Sequence, residues 1–297
     1  MNYIYLIFAL NLISYSLSAS VFLFNNDLKK NKKESIVNSS FFLVGGATYL
    51  YLDRVWWSEN NNQFSFSSNN DFVYAKNLDK VGHFYGGYFA SELFNNAFLW
   101  AGSEKPLNLA LRNSIIIQSV IELKDAYSPN YGFSIYDLIS GAAGSYFHYI
   151  KTKSNKLNYI DIKFSYYKRS NKYWQIEKER GKSASSYEFF NDYINQTYWL
   201  TYRLNKILDL EFFKNFNLAI GTGLDDSQFL NNSSMDGGLR EYYISLDYDL
   251  KHIFRKSNNK FVKNIIYYID YFKLPSPTIR FAPSYKLHIF YCSIIHI

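Results

Sequence analysis

The periodicity of the sequence changes near residue 151, and this change limits the possible folds more than any other feature. Before it, three long segments without internal proline are bounded by helix-breaking residues and predict helices, at about 78–101, 107–126 and 135–150. After it, apolar residues alternate with polar ones in several short runs, and this alternation predicts strands with two different faces. The sequence therefore predicts an α+β protein, in which an N-terminal helical bundle is followed by a curved antiparallel β-sheet or a small β-barrel.

These patterns divide the chain into three parts. We expect a signal peptide or an N-terminal anchor over 1–20, the helical bundle over 36–150, and the antiparallel module over 156–297, interrupted by one helix near 260–273. Two arrangements of the strands fit the alternation equally: an outer-membrane barrel, or a sheet whose apolar face covers the helical bundle. We favour the covering sheet, because the strands are few and a helix interrupts them.

The first residues predict export. An apolar run over 1–17 is followed by small residues at 18–20, an order typical of a signal peptide. Because no positive charge precedes the run, an uncleaved anchor over 3–24 is the alternative. The single cysteine, Cys292, can form neither a disulfide nor a cysteine metal site within one chain. It does not lie where a lipoprotein signal would need it, so we expect no lipid anchor at the N-terminus.

Composition narrows the range of partners. Aromatic residues make up 20% of the chain, with 29 Tyr and 26 Phe, and aromatic rings with a polar tip suit membrane interfaces. The net charge of +7 comes from lysines scattered among acidic residues. No nucleic-acid-binding motif accompanies it, so we exclude a nucleic-acid partner. Membrane lipid or an envelope protein is the expected partner, and the sequence identifies neither a cofactor nor an oligomeric state.

A cluster of polar and ionisable residues lies in helical segments that are otherwise apolar. Its members are Asp79, Lys80, His83, Glu122, Asp125, Ser134 and Asp137. A buried ion without a partner costs several kcal/mol, so these groups must reach water, meet one another or hold a ligand. Asp79 and His83 share a helix face at a spacing of four, and Ser134 is a natural helix cap with Asp137 three residues later. We expect the charged side chains of the three helices to meet at one place.

Two interpretations of this cluster stay open. It can be a metal site or an acid/base pair, with His83, Asp79 and Glu122 as the candidate catalytic residues. It can also be a structural network in which Lys80 and His83 neutralise the carboxylates. We favour the structural network, because four-apart pairs of His and a carboxylate are common by chance, and we assign no metal site.

The motifs of the cluster resemble those of a known family. Asp79-Lys80-x-x-His83-Phe84, Glu122-x-x-Asp125, Gly132-Phe133-Ser134-x-x-Asp137 and Gly141-x-x-Gly144 resemble the YfiM-like family of predicted periplasmic lipoproteins. The likeness extends to long members with a second half, through 191–200, 243–250 and the Pro275-x-Pro277 segment. The helical part is also similar to VanZ-like membrane proteins. The resemblance implies a location in the bacterial cell envelope, in the periplasm or the outer membrane, and implies no established activity.

Two functional hypotheses follow. The first is a non-enzymatic envelope protein with a structural or interaction role at the outer membrane or its periplasmic face. The alternative is a membrane-surface hydrolase, in which His83 acts as general base. In that hydrolase the carboxylates of the cluster would bind a cation or orient a water molecule.

Overall fold

The computed structural model describes residues 32–41, 43, 63–67, 71–128, 132–179, 192–208, 211–229 and 238–291. The predicted signal peptide or anchor and Cys292 lie outside the described residues. Contacts divide the chain into two units, each of which is described by itself. The helical unit comprises 1–68, 86–149 and 185–188, and the sheet unit comprises 69–85, 150–184 and 189–297.

Three long helices are observed where the sequence predicts them: α1 (Leu78–Ala101), α2 (Pro106–Asp125) and α3 (Ile135–Lys153). Their ends follow from local chemistry. Gly102 has a φ of +72°, and its N–H donates to the carbonyl of Leu99 at 3.0 Å, which ends α1 with a left-handed glycine. Proline opens α2, where its missing N–H costs no hydrogen bond.

Small residues bring two helices of the helical unit together. A Cβ on Gly87 of α1 would lie 1.9 Å from the carbonyl oxygen of Gly141 on α3, so no larger residue fits at this contact. A Cβ on Gly141 would lie 2.6 Å from the side chain of Gln118, which belongs to α2. The three helices of this unit therefore meet around Gly141. Farther along α1, Phe98 and Ala101 form a small apolar core with Val37 of the helical segment at 32–41.

Six antiparallel strands form one sheet in the order of the chain: β1 (Ile160–Tyr166), β2 (Gln196–Arg203), β3 (Phe216–Leu224), β4 (Arg240–Tyr248), β5 (Ser276–Ala282) and β6 (Lys286–Tyr291). Among these strands β1 and β6 do not pair, so the sheet is not closed. Short helices connect them: α4 (Lys172–Glu179), α5 (Asn205–Leu208), α6 (Leu250–Ile253) and α7 (Lys260–Ile269). The predicted α+β class, a helical region followed by an antiparallel sheet, is confirmed.

The sheet is strongly curved. The Nζ of Lys163 on β1 reaches a carboxylate oxygen of Asp247 on β4 at 2.7 Å, although β2 and β3 lie between these strands in the sheet. Likewise the hydroxyls of Thr197 on β2 and Tyr291 on β6 are 3.0 Å apart. Both contacts cross the concave side, which we call the inner face. The opposite, convex side is the outer face.

The two faces of the sheet differ in burial. Along β4 the inner positions are buried and carry Glu241, Tyr243, Ser245 and Asp247, whereas Tyr242, Ile244 and Leu246 on the outer face are exposed. Within the sheet unit, the outer face is covered near one end of β1, β2 and β3, where Phe164, Tyr198 and Leu224 belong to an apolar cluster with Leu78 and Tyr85. That the apolar face of the sheet covers the helical bundle stays a prediction. Within the sheet unit, charged residues of the strands pair with one another on the inner face, as Lys163 does with Asp247 and Arg280 with Glu241.

Candidate functional site

Part of the predicted cluster lies in the sheet unit, at the start of α1. Lys80 places its Nζ 2.5 Å from a carboxylate oxygen of Asp71 and 2.9 Å from one of Asp79. All three residues are buried or nearly so. Burial raises the pKa of the Tyr198 hydroxyl, and the neighbouring carboxylate of Asp79 raises it further. Asp79 and Lys80 are therefore an ion pair within the apolar core of this unit, and Asp71 is a member that the sequence did not predict.

The chain enters this ion pair through an unusual turn. Ala75, Lys76 and Asn77, directly before α1, have φ angles of +46°, +52° and +62°. Non-glycine residues pay about 1–2 kcal/mol each in this left-handed region. The turn brings Asp71 back towards the first turn of α1, where Lys80 holds it. No glycine or proline signals this turn in the sequence, so sequence reasoning could not find it.

The rest of the predicted cluster lies in the helical unit, at the start of α3. The Oγ of Ser134 accepts the N–H of Asp137 at 3.0 Å, which confirms Ser134 as the cap of α3. A carboxylate oxygen of Glu122, a residue that is 1% exposed, accepts the N–H of Ser134 at 3.2 Å. Glu122 on α2 thus makes the bond that an acidic third residue makes in a capping box. The carbonyl of Asp125 accepts the N–H of Gly132 at 2.9 Å and shapes the same loop.

The meeting of all seven residues at one place stays a prediction. Asp79, Lys80 and His83 belong to the sheet unit, whereas Glu122, Asp125, Ser134 and Asp137 belong to the helical unit. His83 is partly buried on α1, one turn after Asp79. The catalytic roles of His83, Asp79 and Glu122, and the hydrolase alternative with them, also stay predictions.

Sequence reasoning missed a second group of ionisable residues, on the inner face of the sheet. Lys163, 1% exposed, lies 2.7 Å from Asp247 and 2.7 Å from Asp270, and it donates to the carbonyl of Tyr248 at 3.1 Å. Beside it, Asp161 pairs with Lys151 at 2.5 Å and with Lys251 at 3.5 Å. We call these residues the inner network: Lys151, Asp161, Lys163, Asp247, Lys251 and Asp270.

The balance between burial and charge pairing sets the pKa values of three members of the inner network. Burial by itself would lower the pKa of Lys163, but Asp247 and Asp270 raise it above its usual range. Burial would raise the pKa of Asp161, but Lys251 and Lys151 hold it well below its usual range. For Asp270 burial prevails over Lys163 and Lys251 and raises the pKa to about 6.

A second ionic group lies at the opposite end of the inner face. The fully buried carboxylate of Glu241 accepts hydrogen bonds from the guanidinium groups of Arg169 and Arg280 and from the hydroxyl of Tyr243. Arg169 also donates to the carbonyl of Ile194 at 2.9 Å and holds the chain after β1 against the sheet. Both ionic groups connect distant strands, and this cross-bracing is what a buried polar network contributes to a fold.

The sequence contains a signal for these groups. The alternating runs place charged residues on one face of three strands, opposite a face that is mainly aliphatic and aromatic: Asp161 and Lys163 on β1, Glu241 and Asp247 on β4, and Arg280 on β5. Alternation identifies the two faces, but it does not reveal which one is buried.

One segment of the chain is similar to a known protein family. Residues 69–153 match a family described as predicted periplasmic lipoprotein (DUF2279). The comparison with curated proteins gave no match, and neither did the comparison with solved structures. None of the described helices combines the length and the hydropathy that a membrane crossing requires. The matched segment includes all seven residues of the predicted cluster, and the protein is similar there to periplasmic lipoproteins of the bacterial cell envelope, which is the predicted location.

Proposed function

We propose that this protein is a non-enzymatic component of the outer membrane or its periplasmic face, and that it binds lipid through the outer face of its sheet. One observation carries the proposal. A row of aliphatic residues crosses all six strands in register, formed by Ile162, Leu200, Ile220, Ile244, Ile279 and Leu287. Leu200, Ile220 and Ile244 at its centre are 47%, 49% and 45% exposed. The opposite, inner face carries the ion pairs described above and a buried cluster of Trp199, Ala219, Tyr243 and Tyr291.

The surroundings of this row favour lipid over a protein partner. On β4, Tyr242 and Tyr248 lie on either side of Ile244 and Leu246 on the same outer face. Tyr242 stacks on Phe281 of β5 with ring centroids 6.1 Å apart. Aliphatic residues bracketed by tyrosines match the change from hydrocarbon to headgroups across a membrane surface. More generally, a contiguous exposed apolar surface, such as this row across six strands, marks an interaction site.

Vesicle flotation of the full chain tests the proposal. We compare the wild type with the triple variant Leu200→Thr, Ile220→Thr, Ile244→Thr, which keeps β-branched residues in the strands. Each half-exposed aliphatic side chain contributes about 1 kcal/mol to lipid binding, so the triple variant should bind on the order of 100-fold more weakly.

The control is a matched triple in the helical unit: Leu99→Thr, Ile135→Thr, Ile139→Thr, which alters one leucine and two isoleucines of similar exposure. We expect this control to bind vesicles like the wild type. Absence of vesicle binding by the wild type, or an equal loss in both triples, would contradict lipid binding through the outer face.

A further inference from the structure

Two connections lie side by side at one end of the sheet. The β2–β3 connection over 204–215 contains α5, and the connection over 249–263 that follows β4 contains α6 and the start of α7. The N–H of Asp249 donates to the carbonyl of Asn215 at 2.9 Å and joins the two connections. We call the described residues of these two connections the basic tip.

The basic tip is rich in cations. The connection over 249–263 has five Lys or Arg residues and one acidic residue, Asp249. The connection over 204–215 has two Lys and two acidic residues, so the excess of positive charge comes from the second connection. Arg255, Lys256 and Lys263 in this stretch are exposed. Burial and Arg255 lower the pKa of His252, Asp249 opposes them, and Arg203 and Lys214 lower it further. Cations from both connections therefore act on the same place.

The tip also exposes large apolar side chains among these cations: Ile207, Leu208, Phe212, Ile253, Phe254 and Phe261. Phe212 and Phe261 are 74% and 62% exposed. The apolar surface continues from the tip onto the sheet, because Phe212 lies 6.0 Å from Phe216 and Phe216 lies 5.8 Å from Tyr248, measured between ring centroids. The tip therefore adjoins the face to which lipid binding is assigned above.

We propose that the basic tip binds the phosphate groups of anionic lipids while its aromatic side chains enter the headgroup layer. This inference rests on the proposed function and adds the lipid class. Cations that surround exposed apolar residues are the composition of a surface that binds anionic membranes. An acidic protein partner would also complement the cations. It would not account for the exposed apolar surface that runs from the basic tip onto the outer face.

The experiment measures binding of the full chain to two kinds of vesicle: phosphatidylcholine alone, and phosphatidylcholine with roughly a third of phosphatidylglycerol. The tip variant is Arg255→Gln, Lys256→Gln, Lys263→Gln. The control variant is Lys172→Gln, Lys178→Gln, Lys286→Gln, which removes the same charge from residues outside the tip. Each cation close to an anionic membrane strengthens binding about five-fold. The tip variant should therefore bind anionic vesicles on the order of 100-fold more weakly than the wild type, and the control variant should not.

Three other outcomes would overturn the inference, and they can be distinguished from one another. Equal binding of the wild type to both kinds of vesicle would refute the preference for anionic lipid and leave lipid binding through the outer face standing. An equal loss in the tip and control variants would show that only net charge matters. No binding to either kind of vesicle would refute the proposed function as well. Circular dichroism of both variants verifies that the fold is kept.

Discussion

Replacement of Lys163 by methionine tests the inner network most directly. Methionine keeps most of the volume and removes the charge, so the carboxylates of Asp247 and Asp270 lose the cation that lies 2.7 Å from each. These two side chains are only 1% and 2% exposed. Removal of one partner from a buried ion pair costs about 3–5 kcal/mol, because the remaining charge is left uncompensated. We expect Lys163→Met to lower the free energy of unfolding by that amount.

Thermal unfolding followed by near-ultraviolet circular dichroism measures this effect. At roughly 2–4 °C per kcal/mol for a chain of this size class, Tm should fall by about 10 °C. Lys178→Met, at an exposed position of α4, is the matched control and should change stability by no more than about 0.5 kcal/mol. The combined variant Lys163→Met, Asp247→Asn, Asp270→Asn should regain most of the loss, because neither carboxylate is then left buried without its cation. A change below about 1 kcal/mol for Lys163→Met would refute the assignment of a dry, charge-paired inner face.

Three further predictions concern single positions. Gly132→Ala should destabilise the protein by more than about 3 kcal/mol in thermal unfolding, because φ at Gly132 is +114° and a Cβ would lie 2.7 Å from the backbone nitrogen of Ser67. The control is Gly102→Ala, at φ +72° with no atom within 4 Å of the added Cβ, which should lower the free energy of unfolding by only about 1 kcal/mol. Equal losses of stability in the two variants would contradict the steric clash at Gly132. Lys76→Gly should raise the free energy of unfolding by about 1 kcal/mol, because glycine adopts the left-handed φ of +52° without strain; an unchanged or lower stability would argue against the left-handed turn. The pKa of Asp270 is raised from 3.8 to about 6, so its ionisation at neutral pH weakens the folded state. Between pH about 7 and about 4 the wild type should therefore gain up to about 3 kcal/mol relative to Asp270→Asn as the pH falls. Denaturant titrations across this pH range measure the free energy of unfolding of both proteins. Parallel pH profiles would refute the raised pKa of Asp270.

The helices could be predicted from sequence because their ends are chemically marked. Pro106 and Ser134 fix the starts of α2 and α3, and both are observed in these roles. The predicted helix near 260–273 ends earlier, at Ile269, because the next residues turn into an extended segment. There Phe272 forms a bridge to Phe164 at the edge of β1, a tertiary pairing for which the local sequence carries no signal.

Strand β5 shows where a sequence rule misleads. Pro275 and Pro277 mark the end of a helix in the sequence, and proline argues against a strand because it cannot donate to the ladder. The strand nevertheless runs from Ser276 to Ala282. Its pairing with β6 is irregular between Ser276 and Thr278, so Pro277 lies at the position where the regular ladder is interrupted. Only the pairing partner reveals that the missing N–H is tolerated there.

Contacts between residues close in sequence could be predicted in the candidate site, whereas contacts between residues farther apart could not. The link between Ser134 and Asp137 depends on residues three apart, which the sequence displays directly. The link from Glu122 to Ser134 crosses a loop, and the link from Lys80 to Asp71 requires a left-handed turn built from ordinary residues. Contacts of this kind depend on the tertiary path of the chain, which periodicity does not encode.

The inner network and the outer face depend on each other through the period of the strand. Successive side chains of a strand point to opposite faces, so a shift of one residue in β1 would move Asp161 and Lys163 to the outside and Ile162 and Phe164 to the inside. The ion pairs of Lys163 and Glu241 make that exchange costly, since they are formed only when the charged side chains face the concave side. Helix α2 repeats the same inversion in the other unit, where Ser114, Gln118 and Glu122 are buried while Ile116, Val120 and Leu123 are exposed. On this helix, as on β4, polar side chains are buried and aliphatic side chains are exposed, and in water an exposed aliphatic side chain gains nothing from the hydrophobic effect.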